Sequence, residues 1–226
     1  MNSNYEDDRA DKKGGIKTSQ IKRIFYGNFE KTYSCECEDK SYDKSFEEFE
    51  CLKLKPEYEL NENKFYKLKD FLNDICLQED QSPRKCDVCK KHITETKTIS
   101  ELPPVLIIQI GRVIRINGKT TKITDKVEFP VKLNMNEFVP KSNNIAMYSL
   151  YGICNHIGDD FNTGHYEAIC KNINEEVWYK FNDAFCNKII IEMPSVNSDE
   201  AYILFYSNSN RSNYKYNILK QLNPQL

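Results

Sequence analysis

The chain has 226 residues, 39% of them hydrophobic and 29% charged, with a formal net charge of −2. That length can bury a real core, the charge balance gives no basic footprint for nucleic acid, and no apolar run is long enough to span a membrane. Nine cysteines behind an N-terminus without the apolar core of a secretory signal favour metal binding or thiol chemistry over a disulfide framework, and a reducing compartment, cytoplasmic or nuclear.

In chain order, residues 1–20 are polar, bury almost nothing and read as a mobile lead-in. "TYSCECEDKSYDKSFEEFECLKL" and "KCDVCKKHITETKTISEL" alternate in character and read as long, partly exposed hairpin arms spanning about residues 33–98. Between them, "KFYKLKDFLNDICLQ" spaces Phe65, Leu68, Leu72, Ile75 and Cys76 at three- and four-residue steps, which predicts an amphipathic helix. After Pro103 the texture turns apolar, and "VLIIQIGRVIRI", "VEFPVKL", "MYSLYGICNHI", "HYEAICK", "EVWYKFN" and "AYILFYS" predict a compact antiparallel sheet over about residues 99–208. The remaining residues, 209–226, form a polar tail that could finish as a short helix.

One of only three histidines, His165, opens the "HYEAICK" strand. The polar "NINEE" stretch predicts a hairpin to "EVWYKFND", with Cys170 opposite Val177 as the last pair. In that register Tyr166, Ala168, Cys170, Val177, Tyr179 and Phe181 share an apolar face turned toward the core. The other face sets Glu167 opposite Lys180 and His165 opposite Asn182, with Cβ atoms roughly 4.5–5.5 Å apart. An imidazole beside a side-chain amide, followed by Asp183, is an arrangement that cysteine hydrolases use to hold a general base. It also suits an ordinary strand-end histidine.

"YSLYGICNHIGDDFNTGHYEAICKN", "VWYKFNDAF" and "SDEAYILFY" together resemble the histidine box of the ubiquitin-specific proteases, and "ELPPVLIIQIGRVIR" and "DKVEFPVKLNM" resemble the strands that precede it in that family. The resemblance covers roughly residues 25–207. It implies an α+β fold of the papain-like cysteine protease superfamily, with a palm sheet and zinc-ribbon-like fingers but without the helical thumb. The implied activity is thiol-dependent hydrolysis after ubiquitin's C-terminal glycine. His165 would be the general base, Asn182 the residue that orients it and Asp183 an adjacent polar support. Gly164 and Tyr166 would border the substrate channel, and Asp159 and Asp160 would meet the arginines of the ubiquitin tail.

The family's fingers present two Cys-x-x-Cys knuckles to one zinc. Cys86 and Cys89 have that spacing, whereas Cys35 and Cys37 are separated by a single residue, and alignment on Cys37 and Ser41 puts Ser34 at the first ligand position. A zinc site of Cys35, Cys37, Cys86 and Cys89 and a finger that has lost its metal are both compatible with this pattern. Cys51, Cys76, Cys154, Cys170 and Cys186 read as small buried hydrophobes, and His156 and His92 as structural or exposed.

The family's nucleophile lies in a Gly-Asn-x-Cys-Tyr-x-Asn-Ser box at a helix start. The nearest match here, "FYGNFEKTYS", carries Phe29 and Glu30 after the Gly-Asn, and in "IIQIGRVIR" Gly111 and Val113 replace the usual Lys and Phe. The expectation is therefore the histidine half of a deubiquitinase, inactive alone, with ubiquitin or a ubiquitinated protein as partner. The cysteine would come from a further segment or from another chain. The alternative is a catalytically inactive ubiquitin-binding or scaffold protein.

Overall fold

The computed structural model describes residues 19–208 except 36, 38–39, 56–64, 117, 140–145, 161–162, 173 and 192–194. The expected lead-in (but for residues 19 and 20) and the tail lie outside the described residues. A short helix, α1 (Gln20–Phe25), is capped by Ser19, whose hydroxyl accepts from the Lys22 amide. There follow β1 (Gly27–Cys35), β2 (Lys40–Phe49), β3 (Leu52–Leu54), β4 (Phe65–Lys67), helix α2 (Leu68–Cys76), β5 (Leu77–Lys85) and β6 (His92–Glu101). The second half is strand-rich: β7 (Val105–Ile110), β8 (Val113–Ile116), β9 (Lys119–Lys122), β10 (Lys126–Pro130), β11 (Lys132–Asn134), β12 (Met147–Ile157), β13 (His165–Asn172), β14 (Val177–Asn182), β15 (Phe185–Ile189), β16 (Ser195–Ser198) and β17 (Ala201–Asn208). Among the described residues no helix is long and apolar enough to cross a membrane.

Two sheets dominate. The hairpin arms form a four-stranded sheet in the order β2-β1-β6-β5, and the palm is an eight-stranded sheet in the order β15-β14-β13-β12-β17-β7-β3, with β11 added beside β12. Cross-strand ion pairs lace the arms, among them Lys31–Glu47 at 2.9 Å, Lys97–Glu47 at 2.9 Å and Lys44–Glu30 at 2.7 Å. These are exposed pairs that set register more than they add stability. One apolar core joins the two sheets: Phe29, Phe49 and Ile99 at the base of the arms continue into Leu68, Phe71 and Leu72 of α2 and Leu106, Ile108, Ile110, Leu204 and Tyr206 of the palm. The fold is the expected α+β arrangement of antiparallel sheets with few helices.

The structure corrects two local expectations. Helix α2 begins at Leu68, and Phe65, placed on the helix by its spacing, is half-exposed in β4, which pairs in parallel with β10. The parallel strand takes the backbone groups that a longer helix would have used.

The second correction concerns the β13–β14 hairpin. Its last pair is Asn172–Val177, so Cys170 faces Tyr179 and Ala168 faces Phe181, two residues from the expected register. The Asn172 side chain explains the longer strand: its Oδ1 accepts from the amides of Asn174 (3.0 Å) and Glu175 (3.4 Å) and closes a tighter turn. A shift of two preserves which side chains share a face, but the buried face is the other one. Tyr166 is 55% exposed and Phe181 43%, whereas Glu167 and Trp178 are buried and Ile169 packs on the core.

Candidate functional site

His165 stands at the first position of β13 and Asn182 at the last of β14, so both lie where the hairpin opens. In the observed register they are diagonal neighbours on one face, within reach of polar side chains. The His165 Nε2–H donates to Asn182 Oδ1 at 2.7 Å. A carbonyl acceptor fixes the proton on Nε2 and leaves the Nδ1 lone pair, which has no partner among the described residues, to accept a proton. That is the state a general base requires.

Glu167 follows on the same face. It is buried, accepts from Asn155 Nδ2 at 3.1 Å and pairs with Lys180 at 2.7 Å, also across a diagonal. This buried polar row fixes the hairpin beneath the imidazole. Asp183 lies immediately beyond Asn182. With φ of 50° it forms the two-residue turn between β14 and β15, and among the described residues nothing hydrogen-bonds its carboxylate.

Gly164 has a specific steric reason. A Cβ there would lie 2.4 Å from His156 Nε2 and 2.6 Å from the Ile157 carbonyl, so the close approach that demands glycine is to the His156 ring. His156, a residue whose importance the sequence did not betray, is buried with its ring 4.7 Å from Tyr166 and 6.4 Å from Tyr202. Burial, aided by the nearby Lys122 charge, pulls its pKa down. Lys122 in turn donates to the His156 carbonyl at 2.8 Å and to the Gly158 carbonyl. Asp159 and Asp160 are exposed beside this loop, and Asp159 acts electrostatically on Lys122. Tyr166 is therefore an open ring tilted at 38° against His156 and does not pack in the core.

Arg112 is the other functional-looking group that sequence reading passed over. Fully enclosed, it donates to the carbonyls of Ala201 (2.7 Å), Asp125 (2.9 Å), Ser198 (3.0 Å) and Ile123 (3.3 Å). "IIQIGRVIRI" holds two arginines, of which Arg112 is enclosed and Arg115 exposed, so the pattern alone did not single Arg112 out. Its neighbour Gly111 is glycine because a Cβ would meet the Leu54 carbonyl at 2.5 Å.

At the tip of the arms the four expected cysteines converge. Sγ atoms of Cys35, Cys37, Cys86 and Cys89 all lie within 4.8 Å of one another. Cys35 is 3.3 Å from Cys37 and 3.5 Å from Cys89, and Cys37 is 3.4 Å from Cys86. Tetrahedral zinc with bonds of about 2.3 Å needs sulfur separations of about 3.8 Å, so this set fits the ion with small movements. The single-residue spacing is accommodated because Cys35 ends β1 while Cys37 sits in the turn beyond it. On the other side the Cys86–Lys91 turn is closed by the Cys86 amide to the Lys91 carbonyl at 2.8 Å, with Lys90 left-handed at φ 62°. Hydrogen bonding with the neighbouring Cys35 and Cys86 thiols pushes the Cys37 pKa up; a dication among four sulfurs would reverse that.

The other thiols are placed elsewhere. Alternation puts Cys154, Cys170 and Cys186 on the palm face away from His165. Of these Cys186 is exposed and Cys154 and Cys170 are partly so, which departs from the expected burial. Burial pushes Cys76 up to about 12 and raises Cys51, which lines a 480 Å³ cavity at the foot of the arms. Neither has thiolate character.

Comparison with known proteins gives a consistent result. The sequence profile described as ubiquitin carboxyl-terminal hydrolase matches residues 2–206. Ubiquitin carboxyl-terminal hydrolase 2 of Gallus gallus is 34% identical over 142 residues, which is 62% of this chain and 39% of that protein. Ubiquitin carboxyl-terminal hydrolase 15 of Rattus norvegicus is 31% identical over 175 residues, 74% of this chain and 18% of that protein. Among solved structures, the SAGA Ubp8/Sgf11/Sus1/Sgf73 DUB module bound to monoubiquitin superposes with a TM-score of 0.70 at 29% identity, covering 83% of this chain and 41% of that one. The same module bound to ubiquitin aldehyde gives 0.69 at 28% identity, covering 83% and 42%. The chain thus spans less than half the length of the relatives it matches.

Proposed function

Because this chain belongs to the ubiquitin carboxyl-terminal hydrolase family, we propose that it is the histidine-bearing part of a deubiquitinating cysteine protease. The observation that carries the reading is the 2.7 Å bond from His165 Nε2 to Asn182 Oδ1. Through its free Nδ1, His165 takes the proton of a cysteine thiol as that thiolate attacks the carbonyl carbon of ubiquitin's last glycine, forming a thioester that water then hydrolyses. His165 returns the proton to the leaving amine as the thioester forms, while Asn182 keeps the ring in the right tautomer throughout. Tyr166 and Gly164 border the approach to this group, and Asp159 and Asp160 offer carboxylates to the arginines of the ubiquitin tail. Zinc held by Cys35, Cys37, Cys86 and Cys89 would stabilise the arms and would take no part in the chemistry.

The nucleophile is proposed to come from a further segment or from another chain, because Cys154, Cys170 and Cys186 face away from His165 and the Cys76 and Cys51 thiols are held protonated. The same fact supports the second reading, a ubiquitin-binding protein without activity. A fluorogenic ubiquitin C-terminal amide separates the two. The chain alone should bind ubiquitin without turnover, and adding the cysteine-bearing polypeptide should give turnover that His165→Ala removes. Binding with no turnover under any complementation would establish the second reading, and absence of ubiquitin binding would sink both.

A further inference from the structure

The palm sheet ends in an open strand. β15 pairs with β14 on one side, and among the described residues nothing pairs with its other edge. Exposed edges invite pairing and are usually guarded by proline, bulges or several charges. Here the pairing with β14 shows no register shift, the strand "FCNKI" has no proline, and Lys188 is its sole charge. Phe185 is 71% exposed and Ile190, just beyond the strand, 92%.

The backbone pattern decides what fits this edge. The two-residue turn at Asp183 and Ala184 makes Asn182–Phe185 a hydrogen-bonded pair. Alternation then spends the N–H and C=O groups of Phe185, Asn187 and Ile189 on β14 and sends those of Cys186 and Lys188 outward. We propose that this edge pairs antiparallel with β15 of a second copy of the chain, about a two-fold axis at Asn187. In that register Cys186 exchanges both backbone bonds with Lys188 of the second copy, and the symmetry repeats the exchange. Phe185 lies opposite Ile189 of the second copy on the face that already packs on the core, so the apolar layer continues across the axis. The two Asn187 amides meet on the axis and bond to each other. An axis at Lys188 would oppose two like charges, and one at Cys186 would set Phe185 against Asn187. The sequence of the strand is thus self-complementary in one register, as an isologous interface requires.

Sedimentation of the whole chain over a wide concentration range tests this. The weight-average mass should rise with concentration from 26.6 kDa toward twice that value. Lys188→Pro removes an outward N–H and leaves the β14 ladder intact; it should abolish the rise, as should Phe185→Lys. In Asn187→Cys the two sulfurs would sit in a non-hydrogen-bonded pair with Cα atoms about 4.5 Å apart, within disulfide span. Diamide should therefore yield a dimer linked through position 187 in peptide maps. A mass fixed at 26.6 kDa at all concentrations, or undiminished dimer in both disrupting variants, would overturn the proposal. So would an edge that takes up extended peptides without self-association.

Discussion

At the scale of single residues, the site is an imidazole whose chemistry is set by its neighbours. Asn182 fixes the proton on Nε2, and His156 fixes Gly164 and so the entry of the chain into β13. Gly164→Ala would press a methyl into the His156 ring and the Ile157 carbonyl; a loss of about 1–3 kcal/mol in urea unfolding is expected. His156 gives a pH signature. Its folded pKa lies below the unfolded value of about 6.5, so its contribution is complete above that pH. It is lost as the pH falls and the unfolded chain alone takes up the proton. The unfolding midpoint should therefore drop as the pH falls below about 6.5, and less steeply in His156→Phe, which removes the titrating group. The His165–Asn182 pairing was legible because period-two alternation survives an error of two in register. The role of His156 was not, since a polar residue near the end of a strand, here β12, gives no hint that a glycine eight residues on must make room for it.

At the scale of elements, the hairpin β13–β14 shows where pattern reading misleads. Its apolar-looking face, Tyr166 and Phe181, is the more open one, because Trp178 and Ile169 on the other face reach the core. Glu167 can accompany them inward only because Asn155 and Lys180 meet it there. The arms were legible in outline, and the cysteine knuckle more fully than its spacing promised: a strand end and a turn bring a Cys-x-Cys pair to one point. Metal analysis should find one zinc per chain. Cys86→Ser should lose it and lower the melting temperature, and chelation should produce the same loss in the parent chain, since binding energy at a structural site is folding energy. An unchanged melting temperature on chelation would mean that the arms stand without metal.

At the scale of the whole molecule, one core runs from the arms through α2 into the palm, and Arg112 ties together the segments at Ile123–Asp125 and Ser198–Ala201 that flank it. Arg112→Met would leave four carbonyls, that of Ala201 fully buried, without this donor, and a loss of about 1–3 kcal/mol is expected from denaturant midpoints. An arginine in the link between two apolar strands reads as an ordinary loop charge; only the converging carbonyls give it a purpose. We propose that this architecture holds His165 as a base with its Nδ1 free. Nitrogen NMR of the chain labelled at histidine reads that state without any nucleophile present. The Nε2–H tautomer is expected at His165, and in Asn182→Ala a mixture of tautomers. An Nδ1–H tautomer at His165, or a spectrum indifferent to Asn182→Ala, would contradict this proposal.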